Sequence, residues 1–143
     1  MKKHVIDTGV YIDLIRGGPS LLIVQELYAK ETPGIYFSSV VAQELFAGAH
    51  SVSGRRRVQT LVAPFERSGR IVTPTHRDWK ETGDVLARIL RASPEIKSRL
   101  PRLVNDCLIA LSARSLGATV YTRNRADFAL LQRTHHFSLV VVG

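Results

Sequence analysis

The stretch that decides the fold spans residues 4–15 and reads His-Val-Ile-Asp-Thr-Gly-Val-Tyr-Ile-Asp-Leu-Ile. Its first three residues form a short β-type run, and the apolar residues over 10–15 recur with helical spacing. The stretch therefore predicts a strand that feeds directly into a helix. Asp7 occupies the junction, so an acidic side chain is expected at the carboxyl end of the first strand.

The rest of the chain repeats this alternation of short strands and longer helices. Pro33-Gly34 turns the chain into the second strand. Ser20 is predicted to cap the second helix, and Ser38 or Ser39 the third. Further strands are predicted over 35–37, 70–73, 120–121 and 137–142, and further helices over 21–29, 40–49, 56–65, 77–92, 102–116 and 125–132.

Strands separated by helices favour parallel βαβ units. The predicted fold class is therefore α/β, with helices on both faces of a mainly parallel sheet of four or five strands. No repeat, linker or low-complexity segment interrupts residues 1–143, so a single domain is expected. In such sheets ligands bind beyond the carboxyl ends of the strands, near the point where the strand order reverses.

The chain is strongly basic, with 20 Lys and Arg against 12 Asp and Glu and a formal net charge of +8. This charge favours a polyanionic partner such as nucleic acid, although a solvated basic surface or an acidic protein partner would produce the same sign. Two arginine clusters are candidate RNA contacts. They are Arg55, Arg56 and Arg57, which could also be a solvated helix start, and Arg123 with Arg125.

Cys107 is the only cysteine, so neither an internal disulfide nor a cysteine-based zinc site is expected, and we interpret the residue as core packing. Asp7 and Asp13 interrupt the apolar run that a signal peptide would need, and no apolar stretch is long enough to span a bilayer. The sequence therefore predicts a cytoplasmic protein that does not insert into membranes. Trp79, Tyr36 and Phe37 are predicted to lie in the core.

Four carboxylates are predicted to meet at the carboxyl edge of the sheet. Asp7 follows the first strand, Asp127 follows the strand at 120–121, and Glu44 lies one helical turn past the second strand. Asp106 lies early in the helix at 102–116, which starts at the same edge if it runs antiparallel to the strands.

Helix capping is the alternative explanation for two of these acids. Asp7 could cap the helix that follows it, and Asp127 stands three residues after Asn124, which is the spacing of a helix-start pair. The other two resist that explanation. Position 41 holds Val rather than the Ser or Thr of a capping box with Glu44, and Asp106 interrupts an apolar helix where an unpaired carboxylate is costly.

Four carboxylates in one place would repel one another unless a divalent cation neutralised them. Oxygen ligands alone select Mg²⁺ or Mn²⁺ over zinc. Such an ion can activate water for displacement at phosphate, so a phosphodiester substrate is expected.

The sequence resembles the PIN-domain nucleases and, within them, the toxins of VapBC toxin–antitoxin modules. The resemblance covers almost the whole chain. It rests on Val-Ile-Asp7-Thr-Gly-Val, Gln43-Glu44-Leu45 with Gly48 following, Asn105-Asp106-Cys107-Leu-Ile-Ala110, and Thr122-Arg-Asn124-Arg-Ala-Asp127-Phe128. The chain departs from the pattern at Gly9, where many relatives carry Asn or Ser.

The resemblance implies a PIN-like three-layer α/β/α fold and a Mg²⁺-dependent endoribonuclease. Asp7, Glu44, Asp106 and Asp127 would be the metal-binding catalytic acids, and Thr122 and Asn124 would shape the site beside them. The expected partner would be a small antitoxin protein that covers apolar surface around residues 11–28 and 45–65. The protein itself would be a homodimer.

Two other functions compete with a nuclease. Asp7-Thr8-Gly9 is the triplet of aspartic proteases, some of which are homodimers with one triplet per chain. That function requires a mostly β chain and leaves Glu44 and Asp106 without a role. A catalytically silent RNA-binding PIN module is the second alternative, although phosphate binding alone would be helped by replacing the four acids.

Overall fold

A parallel sheet of five strands forms the centre of the molecule, which we describe from a computed structural model of residues 1–143. The strand order is β3-β2-β1-β4-β5, and every neighbouring pair is parallel. The strands are β1 (Lys3–Ile6), β2 (Ile35–Ser38), β3 (Ile71–Val72), β4 (Ala118–Thr122) and β5 (Leu139–Val141). The prediction of an α/β fold is confirmed. The sheet has five strands, the larger of the two expected numbers, and all of them are parallel.

Seven α-helices connect these strands. They are α1 (Thr8–Ile15), α2 (Leu21–Glu31), α3 (Ser39–Ala47), α4 (Val52–Arg67), α5 (His76–Ala92), α6 (Leu100–Leu116) and α7 (Arg125–Gln132). From β1 to β3 the chain moves one way across the sheet, and from β3 to β5 it moves the other way. Because crossovers between parallel strands are right-handed, this reversal puts α1 to α4 on one face and α5 to α7 on the other.

Local interactions account for where several helices begin. The Ser38 hydroxyl accepts hydrogen bonds from the amides of Val40 and Val41, so the prediction of Ser38 as a cap is confirmed. Ser51 caps α4 through the Gly54 amide, which starts that helix at 52 rather than at the predicted 56. Ser20 does not cap α2 as predicted, because its hydroxyl makes no capping bond.

The core lies between the sheet and both helical layers. On one face, the Tyr11 ring stacks on Phe37 with centroids 4.8 Å apart, and Phe37 contacts Phe65 of α4. On the other face, α6 supplies the largest share of buried side chains, among them Cys107 as predicted: Leu103, Cys107, Leu108, Ile109, Ala110, Leu111 and Ala113.

The prediction that Trp79 belongs to the core is wrong, since its side chain is 55% exposed. Helix α5 instead buries Asp78, Thr82, Val85 and Ile89, a helical stripe that directs position 79 outward. Burial of Asp78 is compensated by a capping box with Thr75 and by a hydrogen bond from Ser115.

The strand order reverses between β1 and β4, because the connection that leaves β1 goes to β2 while β4 lies on its other side. Loops that leave the carboxyl ends of two such strands diverge and open a crevice. Asp7 follows β1 and Asn124 follows β4, so both lie at this crevice. None of the helices has the length and hydropathy to cross a membrane.

Candidate active site

Asp7 links the ends of β1 and β4. Its Oδ1 accepts the Thr8 amide at 2.8 Å, which makes Asp7 the N-cap of α1. Its Oδ2 accepts the Thr122 hydroxyl at 2.7 Å, and the Asp7 amide donates to the Tyr121 carbonyl at 2.8 Å. Asp7 is therefore both a helix cap and a buried carboxylate at the crevice.

Asn124 joins two further acids to this arrangement. Its side-chain amide donates to Asp127 Oδ2 at 2.9 Å and to Asp106 Oδ2 at 3.3 Å. The Asn124 backbone amide donates to Thr122 Oγ1 at 2.9 Å. Asn124 therefore also fixes the hydroxyl group that binds Asp7. Thr122 and Asn124 together contact three of the four acids that the sequence singled out.

Glu44 approaches from α3 on the other side of Asp7. The Thr8 hydroxyl donates to Glu44 Oε1 at 2.7 Å, so Thr8 connects Asp7 through its amide and Glu44 through its side chain. Sequence reasoning did not single out Thr8. Its position directly after Asp7 is a sequence signal, but the contact with a residue 36 positions away is visible only in the folded chain.

Asp127 is buried at the start of α7 and forms salt bridges with two arginines that sequence reasoning also missed. Arg99 pairs with Asp127 Oδ1, and Arg102 lies 3.5 Å from Oδ2. Burial alone would raise the pKa of Asp127, but hydrogen bonds from Asn124 and Arg99 and the charges of both arginines outweigh it and hold the pKa below its usual range. Asp127 is therefore a stable anion in this structure.

Asp106 has the opposite electrostatic environment. Burial, followed by the negative charges of Asp7, Asp127 and Glu44, raises its pKa to about 8, against a smaller lowering by Arg102. Burial also raises the pKa of Asp7, although hydrogen bonds from Thr122 and Thr8 oppose the shift and Glu44 adds to it. The four acids thus lie within one another's electrostatic reach.

The donor set suits a hard divalent cation, because it consists of carboxylate oxygens and excess negative charge. Asp7, Glu44 and Asp106 accept hydrogen bonds only from uncharged donors, whereas Asp127 is already paired with two arginines. No three of the His, Cys, Asp and Glu side chains are gathered closely enough to share one ion as they stand. Binding would therefore require rotation of these carboxylates toward a common point.

The five arginines named from the sequence have different surroundings. Arg123 Nη1 donates to the buried Asp13 at 3.0 Å, and the Arg55 guanidinium lies over the Phe46 ring at 5.1 Å. Arg56 and Arg57 line a groove, and Arg125 is exposed at the start of α7. Of the five, only Arg123 pairs with an acidic side chain, although its own side chain is 42% exposed. At Gly9 a Cβ would meet no atom within 4 Å, so the space for the side chain that many relatives carry is open.

A groove leads away from Glu44 between α1 and α4. Its first part, a cavity of about 260 Å³, is lined by Ile12, Ile15, Glu44, Leu45, Arg57 and Val58 among others. Its second part, a cavity of about 860 Å³, shares Ile15 and Arg57 with the first and continues past Leu61 and Phe65 to Arg70. The groove is lined by apolar residues and arginines, and one end of it therefore reaches Glu44 of the candidate site.

Substitution Asp106→Asn is expected to stabilise the protein at neutral pH in EDTA. The folded-state pKa of about 8 lies above the unfolded value, so the folded state holds an extra proton between about pH 4 and 8, and the free energy of unfolding falls as pH rises through this window. The asparagine variant should lose that slope and gain on the order of 5 kcal/mol at pH 8, from a shift of about four pKa units. Urea titrations at pH 5 and pH 8 measure both quantities. Asp84→Asn, on the exposed face of α5, is the matched control. An unchanged slope in Asp106→Asn would show that the pKa of Asp106 is not raised in the folded state.

The family model of the PIN domain matches residues 4–133. Among solved structures, DNA-bound VapBC from Salmonella typhimurium is 23% identical with a TM-score of 0.71, covering 99% of this chain and 98% of that one. VapBC2 from Rickettsia felis, bound to a fragment of its promoter DNA, is 23% identical with a TM-score of 0.66 and 98% coverage of both chains. FitAcB from Neisseria gonorrhoeae is 19% identical with a TM-score of 0.69 and 95% coverage of both chains.

Identities this low establish a shared fold and nothing further. No curated protein sequence matches the chain significantly. The family model covers most of the chain. Asp7 and Asp127 lie just beyond the carboxyl ends of β1 and β4, as their positions after these strands predicted. The chain belongs to the PIN domain family.

Proposed function

We propose that this protein is a Mg²⁺- or Mn²⁺-dependent endoribonuclease and the toxin of a type II toxin–antitoxin module. The proposal rests on the hydrogen bonds that bring four acids together. Thr122 binds Asp7, and Asn124 binds both Asp106 and Asp127. Thr8 binds Glu44 beside them. Burying mutually repelling carboxylates is unfavourable unless a cation or a substrate uses them. Membership of the PIN domain family and the fold shared with VapBC and FitAB proteins support the nuclease assignment.

In the proposed reaction, Asp7 and Asp106 would be the principal metal ligands. Glu44 would be a ligand or the base that orients water, and Asp127 would act at a second ion or from outside the ligand shell. The ion, when bound, supplies an activated water and stabilises charge on the phosphate oxygens. The Thr122 hydroxyl holds Asp7 by a hydrogen bond, and the Thr8 hydroxyl holds Glu44. Cleavage proceeds without a covalent enzyme intermediate.

Of the two competing functions, the aspartic protease is incompatible with the structure. Asp7-Thr8-Gly9 lies at the junction of a parallel strand and a helix, in a chain with seven helices, rather than in a mostly β protein. A catalytically silent RNA-binding module remains the alternative, and the next experiment separates it from a nuclease.

Asp7→Asn should abolish RNA cleavage, with a loss of at least about 100-fold, because it removes a ligand charge while keeping the side-chain size and one acceptor oxygen. Mapping RNA ends after induction of wild type and variant, and assaying purified protein with Mg²⁺ and with EDTA, measure the effect. An unchanged circular-dichroism spectrum controls for folding. Equal cleavage in EDTA and in Mg²⁺ would contradict metal dependence, and a wild type that binds RNA without cutting it would favour the silent module.

Arg99 and Arg102 are proposed to contact the RNA backbone beside the acids. An acidic centre repels phosphate, so cations next to it are needed to bring the substrate in. The Arg102 side chain is 73% exposed and makes only a long contact with Asp127, which leaves most of its donors free for a phosphate. Both arginines flank the start of α6, the helix that carries Asp106.

Arg102→Ala is expected to weaken RNA binding about 10-fold and to reduce the dependence of log Kd on log salt by about 0.7, the value for one phosphate contact with single-stranded nucleic acid. Fluorescence anisotropy in an Asp7→Asn background measures binding without cleavage. Arg133→Ala, exposed at the far end of α7, is the control for the loss of one positive charge. Equal salt dependence in the two variants would remove Arg102 from the substrate site.

The groove between α1 and α4 is proposed to bind the antitoxin. Its floor is apolar at Ile12, Ile15 and Leu61, whereas Arg56, Arg57 and Arg70 provide positive charge, so an amphipathic segment with acidic residues would match it. A segment lying there would run toward Glu44. The surfaces expected from the family resemblance, 11–28 and 45–65, contain most of this groove.

Ile15→Asp should prevent co-purification of a co-expressed antitoxin and leave RNA cleavage intact. Ile15 lines both parts of the groove and lies at the end of α1 opposite Asp7. Leu22→Asp is the matched control, because Leu22 is exposed on α2 outside the groove. Retention of the complex in Ile15→Asp, or loss in both variants, would place the partner elsewhere. Homodimerisation and a cytoplasmic location stay predictions, the first resting on the family resemblance and the second on composition.

A further inference from the structure

Asp13 is a buried acid that the proposed reaction does not use. It lies on α1 and is 7% exposed. Its Oδ2 accepts the Ser20 backbone amide at 2.5 Å, and its Oδ1 accepts Arg123 Nη1 at 3.0 Å. The Ser20 amide is the main reason that the pKa of Asp13 lies below its usual range, and the Arg123 charge acts in the same direction. The side chain is therefore an anion held by two donors.

The segment between α1 and α2 is shaped around this carboxylate. The Gly18 amide donates to the Asp13 backbone carbonyl at 2.8 Å. A Cβ on Gly18 would lie 1.8 Å from Asp13 Oδ1 and 2.5 Å from Asp13 Cγ. Any side chain at position 18 would therefore displace the carboxylate from its present position.

Arg123 stands between the two residues that hold the candidate site. Thr122 binds Asp7, and Asn124 binds Asp106 and Asp127. Thr122 is anchored in β4, but Asn124 lies in the loop that leads to α7. An ion pair at the intervening residue restricts the backbone that sets the direction of the Asn124 amide.

We infer that Asp13 and Arg123 are positioning residues for the proposed nuclease: their ion pair fixes the loop at 122–124, and through Thr122 and Asn124 it fixes the acids. The inference rests on the proposed function and assigns Arg123 a role other than RNA contact. The two roles of Arg123, loop positioning and RNA contact, predict different effects of replacing Asp13. Removing an acid near an RNA surface would improve RNA binding, whereas loosening the loop lowers the rate of the chemical step.

The test compares kcat and KM for RNA cleavage in Asp13→Asn, Arg123→Ala, their double variant and Gly18→Ala. Asp13→Asn keeps an acceptor for the Ser20 amide, and Gly18→Ala displaces the carboxylate while both charged residues remain. Each single variant should lower kcat about 10- to 100-fold with KM within about twofold, since small misplacements of reacting groups have effects of this size. The double variant should be no worse than the worse single variant, and Arg123→Lys should recover part of the loss.

Controls and an independent readout keep the outcomes distinct. Arg133→Ala and Asp84→Asn, both exposed and outside the loop at 122–124, should leave kcat unchanged. Hydrogen exchange of the amides at 122–127 should become faster in Asp13→Asn while exchange in α5 does not, and this readout needs no activity.

A rise in KM for Arg123→Ala together with a lower KM for Asp13→Asn would overturn the inference and make Arg123 an RNA contact. Unchanged exchange at 122–127 would overturn it as well. A wild type that cuts no RNA would refute the proposed function instead, and the exchange measurement would still decide whether this ion pair orders the loop.

Discussion

The repulsion among buried carboxylates at one edge of the sheet is the constraint on which the rest of the structure depends. Asp106 is almost enclosed and faces the charges of three other acids, which raises its pKa to about 8. A group in this position destabilises the folded state at neutral pH and persists only because surrounding structure holds it. The surrounding structure here is a set of hydroxyl and amide donors, Thr8, Thr122 and Asn124, delivered by the ends of β1 and β4.

Helix capping and site construction use the same side chains. Asp7 is the N-cap of α1, and Asn124 caps α7 while binding Asp127 in its first turn. The two explanations considered from sequence are therefore compatible. In a βα unit the helix begins where the strand ends, so a residue that caps the helix necessarily lies at the carboxyl edge of the sheet. Capping then restricts the rotamer of the acid and leaves its second oxygen for another partner.

Charge is distributed so that a chain with a net charge of +8 has a negative centre. Arg99 and Arg102 lie beside Asp127, while Arg56, Arg57 and Arg70 line the groove on the α1 and α4 side. A polyanion could follow the first group toward the acids, and an acidic protein segment could follow the second. Arg123 belongs to neither group, because its guanidinium pairs with the buried Asp13.

The amino-acid sequence by itself determined the element order, the parallel α/β class and the approach of four acids to one edge, because periodicity, turn residues and the position of an acid relative to a strand are local properties. Element ends were less predictable. Helix α4 starts four residues early through a Ser51 cap, and Trp79 points outward because the phase of α5 is set by what it packs against.

Only the tertiary structure decided the partners of each acid. Thr8 with Glu44, Arg99 with Asp127 and Arg123 with Asp13 join residues 28 to 110 positions apart. Such contacts depend on how helices are placed across the sheet. One sequence carries no local signal of which of its 20 basic residues will meet which acid.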